Sequence, residues 1–162
     1  MPDLLSHVLI GLIIAELFNM KKSLLVLGSI LPDILSKIYL LTFFFHINSD
    51  LLFVTIFFHS LVMGLIIPGL ITPFFKYDWK KTYLSVMLGF MAHLFADSFS
   101  RHYHNGIILY PFAEPTKFFS FNLLWVEQYW IILVMSIIMY ASIKLFKYYH
   151  AQNTKKKVEN NK

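Results

Sequence analysis

The sequence predicts an all-α protein, a polytopic transmembrane helical bundle that crosses a membrane four to five times. Of its 162 residues, 57% are hydrophobic and 18% are aromatic, while only 14% are charged. A soluble domain carries about 25% charged residues, so this chain has too few charges to cover a surface that faces water. The chain contains no cysteine, which excludes a disulfide scaffold, a thiolate metal ligand and a thiol nucleophile.

Five apolar stretches account for the predicted spans. They are 17, 23, 25, 19 and 24 residues long and cover residues 4–20, 23–45, 51–75, 82–100 and 123–146. A helix that crosses a bilayer needs about 17–25 residues, so every stretch is long enough, the first only just. We expect residues 1–150 to form a single membrane-embedded helical domain and residues 151–162 to form a basic, polar, disordered tail.

The basic residues are divided unevenly between the two ends of the predicted helices. Eleven lysines lie after the first and third stretches or near and beyond the end of the fifth, whereas the connections after the second and fourth hold two basic residues. Because basic loops stay in the cytoplasm, the N-terminus is predicted to lie outside and the C-terminus inside a cell (inner or plasma) membrane. The basic tail is expected to meet anionic membrane lipids, and no nucleic-acid partner is expected.

The histidines and aspartates that fall inside the apolar stretches are His7, Asp33, His59, His93 and Asp97. An ionisable group inside a bilayer costs about 2.5–3.5 kcal/mol on insertion scales, so each of the five is a candidate functional residue. With the predicted orientation and a rise of about 1.5 Å per residue, all five lie in the outer half of the membrane. Since they come from four different helices, the sequence predicts one shared polar pocket.

Histidine and aspartate together suit a divalent metal ion, for which zinc is expected and manganese is the alternative. His93 and Asp97 are four residues apart and share one helix face, where they can chelate one ion. Asp33 follows Pro32, which removes a backbone donor and is expected to bend the helix so that Asp33 faces inward. A bound metal would activate water for attack on a substrate.

The same residues allow simpler interpretations. Asp33 can form an ion pair with Lys37, four residues further along a helix. His93 can be held by a hydrogen bond to Asp97, and His59 can be an ordinary core histidine. Glu16, which is close in sequence to two lysines, is expected to reach toward the inner membrane surface.

Short motifs also occur in a fixed order along residues 6–112. They are Ser6-His7 with Gly11, the segment 27–33 ending in Pro32-Asp33, Phe58-His59-Ser60, the segment 89–97 from Gly89 to Asp97, and the segment 106–112 ending in Pro111-Phe112. In their order and their residues, these motifs resemble those of the YdjM-like family of membrane-bound, metal-dependent hydrolases, which is grouped with the phospholipase C/P1 nuclease-like superfamily. The resemblance implies an all-α enzyme that hydrolyses a phosphoester such as a lipid headgroup.

The resemblance also implies a set of metal ligands. The residues that match the family's ordered series are His7, Asp33, His59, His93 and Asp97, with His102 or His104 as the next ligand. One of the two carboxylates, Asp33 or Asp97, would act as the catalytic general base. The chain departs from the family pattern before His59 and has no His-x-x-x-Glu after residue 104. We therefore expect one or two metal ions rather than three.

The alternative function is that of a non-catalytic polytopic membrane protein. Its polar residues would then form a structural polar cluster, of the kind worth roughly 0.6–2 kcal/mol per interhelical contact, or a path for a metal or proton carrier. An enzyme needs an open coordination position beside a cleft, whereas a structural cluster is closed. A carrier needs polar groups in both halves of the membrane, and the inner half holds little beyond Glu16.

Overall fold

A computed structural model describes residues 4–37, 57–99 and 129–160. Its helices are α1 (Leu4–Phe18), α2 (Lys22–Ser36), α3 (Leu61–Ile71), α4 (Trp79–Asp97) and α5 (Tyr129–Asn160), and a short 3₁₀ helix (Thr72–Phe74) follows α3. These three ranges contain no strand, which confirms the predicted all-α class for the part of the chain that they cover.

Helix length determines which of the described helices can cross a membrane. Within the described ranges, one helix is long and apolar enough to cross a bilayer, over Trp130–Thr154 of α5. Helix α1 and the segment Leu61–Phe74 are apolar but shorter. The 15 residues of α1 span about 22 Å, less than the hydrocarbon thickness of about 30 Å. The number of four to five spans therefore stays a prediction.

Local signals place the end of α1 and the beginning of α3 inside the predicted apolar stretches. Helix α1 stops at Phe18, and Asn19 adopts a left-handed φ of 53°, which asparagine tolerates better than most residues. Helix α3 begins only at Leu61, because the Ser60 hydroxyl accepts a hydrogen bond from the Met63 backbone N–H at 3.3 Å. An apolar run does not show such boundaries, so the predicted stretches are longer than these helices.

The later helices extend beyond their predicted stretches. Helix α4 begins at Trp79 rather than at residue 82, since the Asp78 carboxylate caps it by accepting the Lys81 backbone N–H at 2.9 Å. Helix α5 continues to Asn160, so the segment 151–160 that was expected to be disordered is helical in the structure. This segment is rich in lysine, which has a good helix propensity.

Helices α2 and α4 run parallel and in close contact. Gly28 of α2 lies against the backbone of Val86 and Gly89, and the Leu25 carbonyl lies against Gly89. A Cβ atom at either glycine would overlap a carbonyl oxygen of the opposite helix. Small residues at both positions therefore set the separation of the two helices, as is common in membrane proteins.

Helix α1 packs antiparallel against α2. Near the start of α1, His7 lies beside Asp33 at the end of α2. One turn later, Gly11 faces Ser29, and a Cβ atom at Gly11 would lie only 2.8 Å from the Ser29 hydroxyl. The first turn of α1 and the last turn of α2 therefore meet at one end of the bundle.

Helix α3 packs antiparallel against α4. The Tyr83 hydroxyl in α4 donates a hydrogen bond to the Leu65 carbonyl in α3 at 3.1 Å, and His59 before α3 lies beside Asp97 at the end of α4. Between α2, α3 and α4 lies an apolar core formed by Leu24, Leu31, Ile67, Val86, Phe90 and Leu94. The core fixes these helices so that His59 reaches the same end of the bundle as the other predicted site residues.

Candidate metal centre

Five side chains from separate parts of the chain meet at this end of the bundle, and we call them the His/Asp cluster. His7 lies in the first turn of α1, and Asp33 lies in the last turn of α2. His59 comes just before α3, and His93 and Asp97 lie one turn apart at the end of α4. The structure thus places five of the six predicted metal ligands together.

All three imidazoles of the cluster face both carboxylates. Nε2 of His93 lies 3.2 Å from Asp97 Oδ2 and 3.9 Å from Asp33 Oδ1. Nε2 of His59 lies 3.5 Å from Asp33 Oδ1 and 3.8 Å from Asp97 Oδ2. Nε2 of His7 lies 3.6 Å from Asp97 Oδ1 and 3.9 Å from Asp33 Oδ2. The three nitrogens and the two carboxylates form one compact group.

Most of these separations are longer than hydrogen bonds, which join nitrogen and oxygen at about 2.7–3.2 Å. Two ligand atoms that each lie about 2.1 Å from one zinc ion, at the tetrahedral angle, are about 3.4 Å apart. The observed N···O separations, from 3.2 to 3.9 Å, include this value. The spacing therefore fits ligands around a shared cation better than a closed hydrogen-bond network.

The cluster is buried, and some of its polar atoms are unsatisfied. The exposed side-chain fraction is 0% for His7 and His93, 4% for Asp33, 9% for His59 and 20% for Asp97. Within the described ranges, His7 Nε2, His93 Nε2 and Asp33 Oδ1 have no hydrogen-bond partner. A buried polar atom left unsatisfied costs about 1–3 kcal/mol. A cation at the centre of the cluster would satisfy all three atoms.

A backbone hydrogen bond from α2 orients His93. Its Nδ1–H donates to the Ser29 carbonyl at 2.7 Å. Because a carbonyl can only accept, the proton lies on Nδ1, and a neutral ring presents its Nε2 lone pair to the carboxylates. The ring of His7 stacks on that of His93, with centroids 3.9 Å apart. Metal-binding histidines are commonly held by a carbonyl in this way.

The donor atoms fall into two overlapping groups of three. One consists of His7, Asp33 and His93, the other of His59, His93 and Asp97, and in each the ligand atoms lie within 4.8 Å of one another. His93 belongs to both groups, and its one available nitrogen can bind one ion. This overlap favours a single metal centre over two separate ones.

The structure decides between some of the interpretations that the sequence left open. Asp33 faces the three histidines, while Lys37 is exposed and, in the described part of the chain, forms no ion pair with it. His93 and Asp97 are in side-chain contact, as both interpretations of that pair require. The remaining candidate ligand, His104, and its alternative His102 lie outside the described residues.

Ser29 is a residue that the sequence analysis did not assign a role. Its position one turn before Asp33 places it on the same face of α2, and that spacing is a signal in the sequence. The contact of its carbonyl with His93 depends, however, on the close approach of α2 and α4 at Gly28 and Gly89. Spacing within one helix does not predict which other helix will come so near.

A second charged group lies at the opposite end of the bundle. The Glu16 carboxylate lies 2.6 Å from Lys22 Nζ, 2.7 Å from Lys144 Nζ and 2.9 Å from Lys147 Nζ. The side chain of Glu16 is 7% exposed, whereas those of the lysines are about half exposed. The lysines rather than Glu16 therefore reach outward, and their ion pairs join α5 to α1 and α2. We call this end, which also carries Lys21, Lys80 and Lys81, the lysine end.

Apolar helices, a candidate membrane span in α5 and a buried His/Asp cluster define a helical membrane protein with a potential metal centre. The chain belongs to the YdjM inner membrane protein family, whose model matches residues 1–159. Membership of the YdjM family, which the motifs in residues 6–112 predicted, is thus confirmed over nearly the whole chain, whereas the metal-dependent hydrolase assignment stays a prediction. No curated protein and no solved structure shows significant similarity to it.

Proposed function

We propose that the chain is a multi-pass inner-membrane protein that binds a divalent metal at the His/Asp cluster and hydrolyses a phosphoester, such as a lipid headgroup. The observation that carries this proposal is the convergence of three imidazoles and two carboxylates, from three helices and the turn before α3, on one buried point. Water-excluded sites of this kind are costly to build unless a ligand compensates the burial of their polar atoms.

The donor set limits the choice of metal. Imidazole nitrogen and carboxylate oxygen suit zinc, and a set with two carboxylates also suits manganese. We therefore propose zinc, with manganese as the alternative, held by His7, Asp33, His59 and His93. His104 remains a candidate for a further ligand. When bound, such an ion would polarise a phosphoryl oxygen and activate a water molecule.

The two carboxylates differ in a way that suggests separate roles. Asp33 is 4% exposed and lies among the histidines, which suits a metal ligand. Asp97 is 20% exposed and is the most accessible member of the cluster. We assign to Asp97 the general base, since it can accept a proton from water at the site and release it toward solvent.

The helix directions support a multi-pass topology with the N-terminus outside and the C-terminus in the cytoplasm. Helix α1 is antiparallel to α2 and α3 to α4, so the His/Asp cluster lies at one end and the lysines lie at the other. The positive-inside rule assigns the lysine end to the cytoplasm and the cluster to the outer side. A helix as short as α1 would cross a locally thinned bilayer.

One observation favours the non-catalytic alternative. His7 and His93 are 0% exposed, which is also expected of a structural polar cluster. The two functions differ in turnover, because a structural cluster or a carrier has no chemical step. The experiment below separates them.

Turnover of a phosphodiester tests the proposal. Protein purified in a neutral detergent and loaded with zinc or manganese is expected to hydrolyse bis(p-nitrophenyl) phosphate and a fluorogenic phospholipid. The Asp97→Asn variant is expected to lower the rate about 10²–10⁴-fold, the usual contribution of a general base. The measurement is the initial rate at matched metal content.

A matched control replaces a carboxylate at the opposite end. Asp78→Asn is expected to keep full activity, because asparagine caps a helix about as well as aspartate does. Metal-loaded wild-type protein that turns over no faster than the Asp97→Asn variant would contradict the enzyme proposal and favour the non-catalytic alternative.

A further inference from the structure

A pocket of about 460 Å³ lies at the lysine end of the bundle. Its walls come from the turn between α1 and α2, which contributes Asn19 and Lys21, and from the start of α4, which contributes Lys81. Helix α4 has 19 residues and is about 27 Å long, and the His/Asp cluster lies at its far end. The pocket is therefore separate from the proposed metal centre.

The side chains that line the pocket favour a negatively charged ligand. Lys21 Nζ lies 3.0 Å from the centroid of the Tyr77 ring, which holds its ammonium group at the pocket wall. Lys81 forms no ion pair within the described residues. The acidic residue in the wall, Asp78, uses Oδ1 to accept the Lys81 backbone N–H at 2.9 Å. Two ammonium groups against one carboxylate leave the pocket with an excess of positive charge.

The rim of the pocket has the composition of a membrane–water interface. Tyr77 in the pocket wall is 50% exposed, and Trp79, which follows the wall residue Asp78, is 63% exposed. Phe18, which precedes the wall residue Asn19, and Phe74, at the end of the 3₁₀ helix, are 68% and 85% exposed. Large aromatic side chains of this kind collect at the level of the lipid headgroups. An anionic group at that level in a membrane is most commonly a lipid phosphate.

We infer that this pocket binds the phosphate group of an anionic phospholipid, with Lys21 and Lys81 as its cationic partners. The exposed aromatic rings would lie along the glycerol and upper acyl region of the same lipid. The first turn of α4 adds the favourable dipole of a helix N-terminus to the lysine charges. A free phosphate can contact the same two lysines, but it has no apolar part to contact the exposed aromatic rings.

Binding of a short-chain lipid tests the inference. The full-length protein in neutral detergent is titrated with dihexanoyl phosphatidylglycerol, with dihexanoyl phosphatidylcholine and with inorganic phosphate, and the dissociation constants are measured by microscale thermophoresis. Wild-type protein is expected to prefer phosphatidylglycerol. The Lys21→Gln/Lys81→Gln variant is expected to bind it at least about tenfold more weakly, since both proposed cationic partners of the lipid phosphate are removed.

The matched control removes the same charge from the same end of the protein. Lys76→Gln/Lys80→Gln changes two lysines outside the pocket wall, one of which lies over the Trp79 ring instead. This variant is expected to keep the wild-type affinity. The single variant Lys81→Gln, at an exposed position, provides the same comparison if the double variant unfolds.

Two results would overturn the inference. Equal affinity of wild type and Lys21→Gln/Lys81→Gln for phosphatidylglycerol would show that the pocket lysines do not bind the lipid. Binding of inorganic phosphate as tight as that of the lipid, with the same lysine dependence, would assign the pocket to a soluble anion. The metal content is expected to be unchanged in both double variants, so this test is independent of the His/Asp cluster.

Discussion

Replacing His93 and Asp97 together by alanine is expected to abolish stoichiometric metal binding. The double variant removes one nitrogen and one carboxylate, and it disrupts both overlapping groups of donors because His93 belongs to each. Changes to groups that merely orient a ligand cost about 10–100-fold in metal affinity, so loss of the ligand His93 together with the neighbouring Asp97 carboxylate is expected to cost more than about 100-fold. Competition with a zinc-binding dye in detergent measures the affinity.

A control variant replaces one histidine and one aspartate at positions outside the His/Asp cluster. His150 is exposed on α5, and Asp78 caps α4 at the lysine end, so His150→Ala/Asp78→Asn is expected to bind zinc as the wild type does. If His93→Ala/Asp97→Ala kept the wild-type affinity in a folded protein, any bound metal would be held at a different place.

Introducing a methyl group at the contact of α2 and α4 is expected to destabilise the protein strongly. In Gly28→Ala, the new Cβ would overlap the Val86 carbonyl oxygen, and backbone cannot move aside as a flexible side chain can. Overpacking of this kind costs about 1–3 kcal/mol, and separating the helices would also draw Asp33 away from His93. Thermal unfolding in detergent, followed by circular dichroism, should show a clear fall in the midpoint.

Another glycine in an apolar helix provides the control for this variant. A Cβ at Gly69 in α3 would have the Tyr83 ring as its nearest neighbour, at an ordinary contact distance of 3.8 Å. Gly69→Ala is therefore expected to be neutral or slightly stabilising, because alanine favours the helix by about 0.5–1 kcal/mol over glycine. Equal midpoints for Gly28→Ala and Gly69→Ala would contradict the close packing of α2 against α4.

The site was more predictable from the sequence than the helix ends were. Ionisable residues are rare in apolar stretches, because placing one inside a bilayer costs free energy. This cost alone marked five residues as candidates, namely His7, Asp33, His59, His93 and Asp97. Their convergence followed from a simple estimate of depth along alternating helices. The structure places these five side chains together, although whether they bind a metal stays a prediction.

Helix boundaries were predicted less well because they depend on single hydrogen bonds. Ser60 and Asp78 begin helices α3 and α4 by accepting one backbone N–H each. Ser60 lies within an apolar stretch and Asp78 lies in the polar connection between two stretches, so the pattern of apolar residues indicates neither boundary. The pairing of Glu16 with Lys144 and Lys147 was also missed, since these residues are more than a hundred positions apart in the sequence. Contacts of this kind depend on helix packing, which a single sequence does not specify.

The metal content of the wild-type protein tests the central claim most directly. Protein purified in detergent without chelators, and reloaded with zinc or manganese after chelator treatment, is analysed by elemental mass spectrometry against protein concentration. The His/Asp cluster predicts about one tightly bound ion per chain, because its two groups of donors share His93. A wild-type protein that is folded, contains no metal and takes up none on reloading would contradict the account.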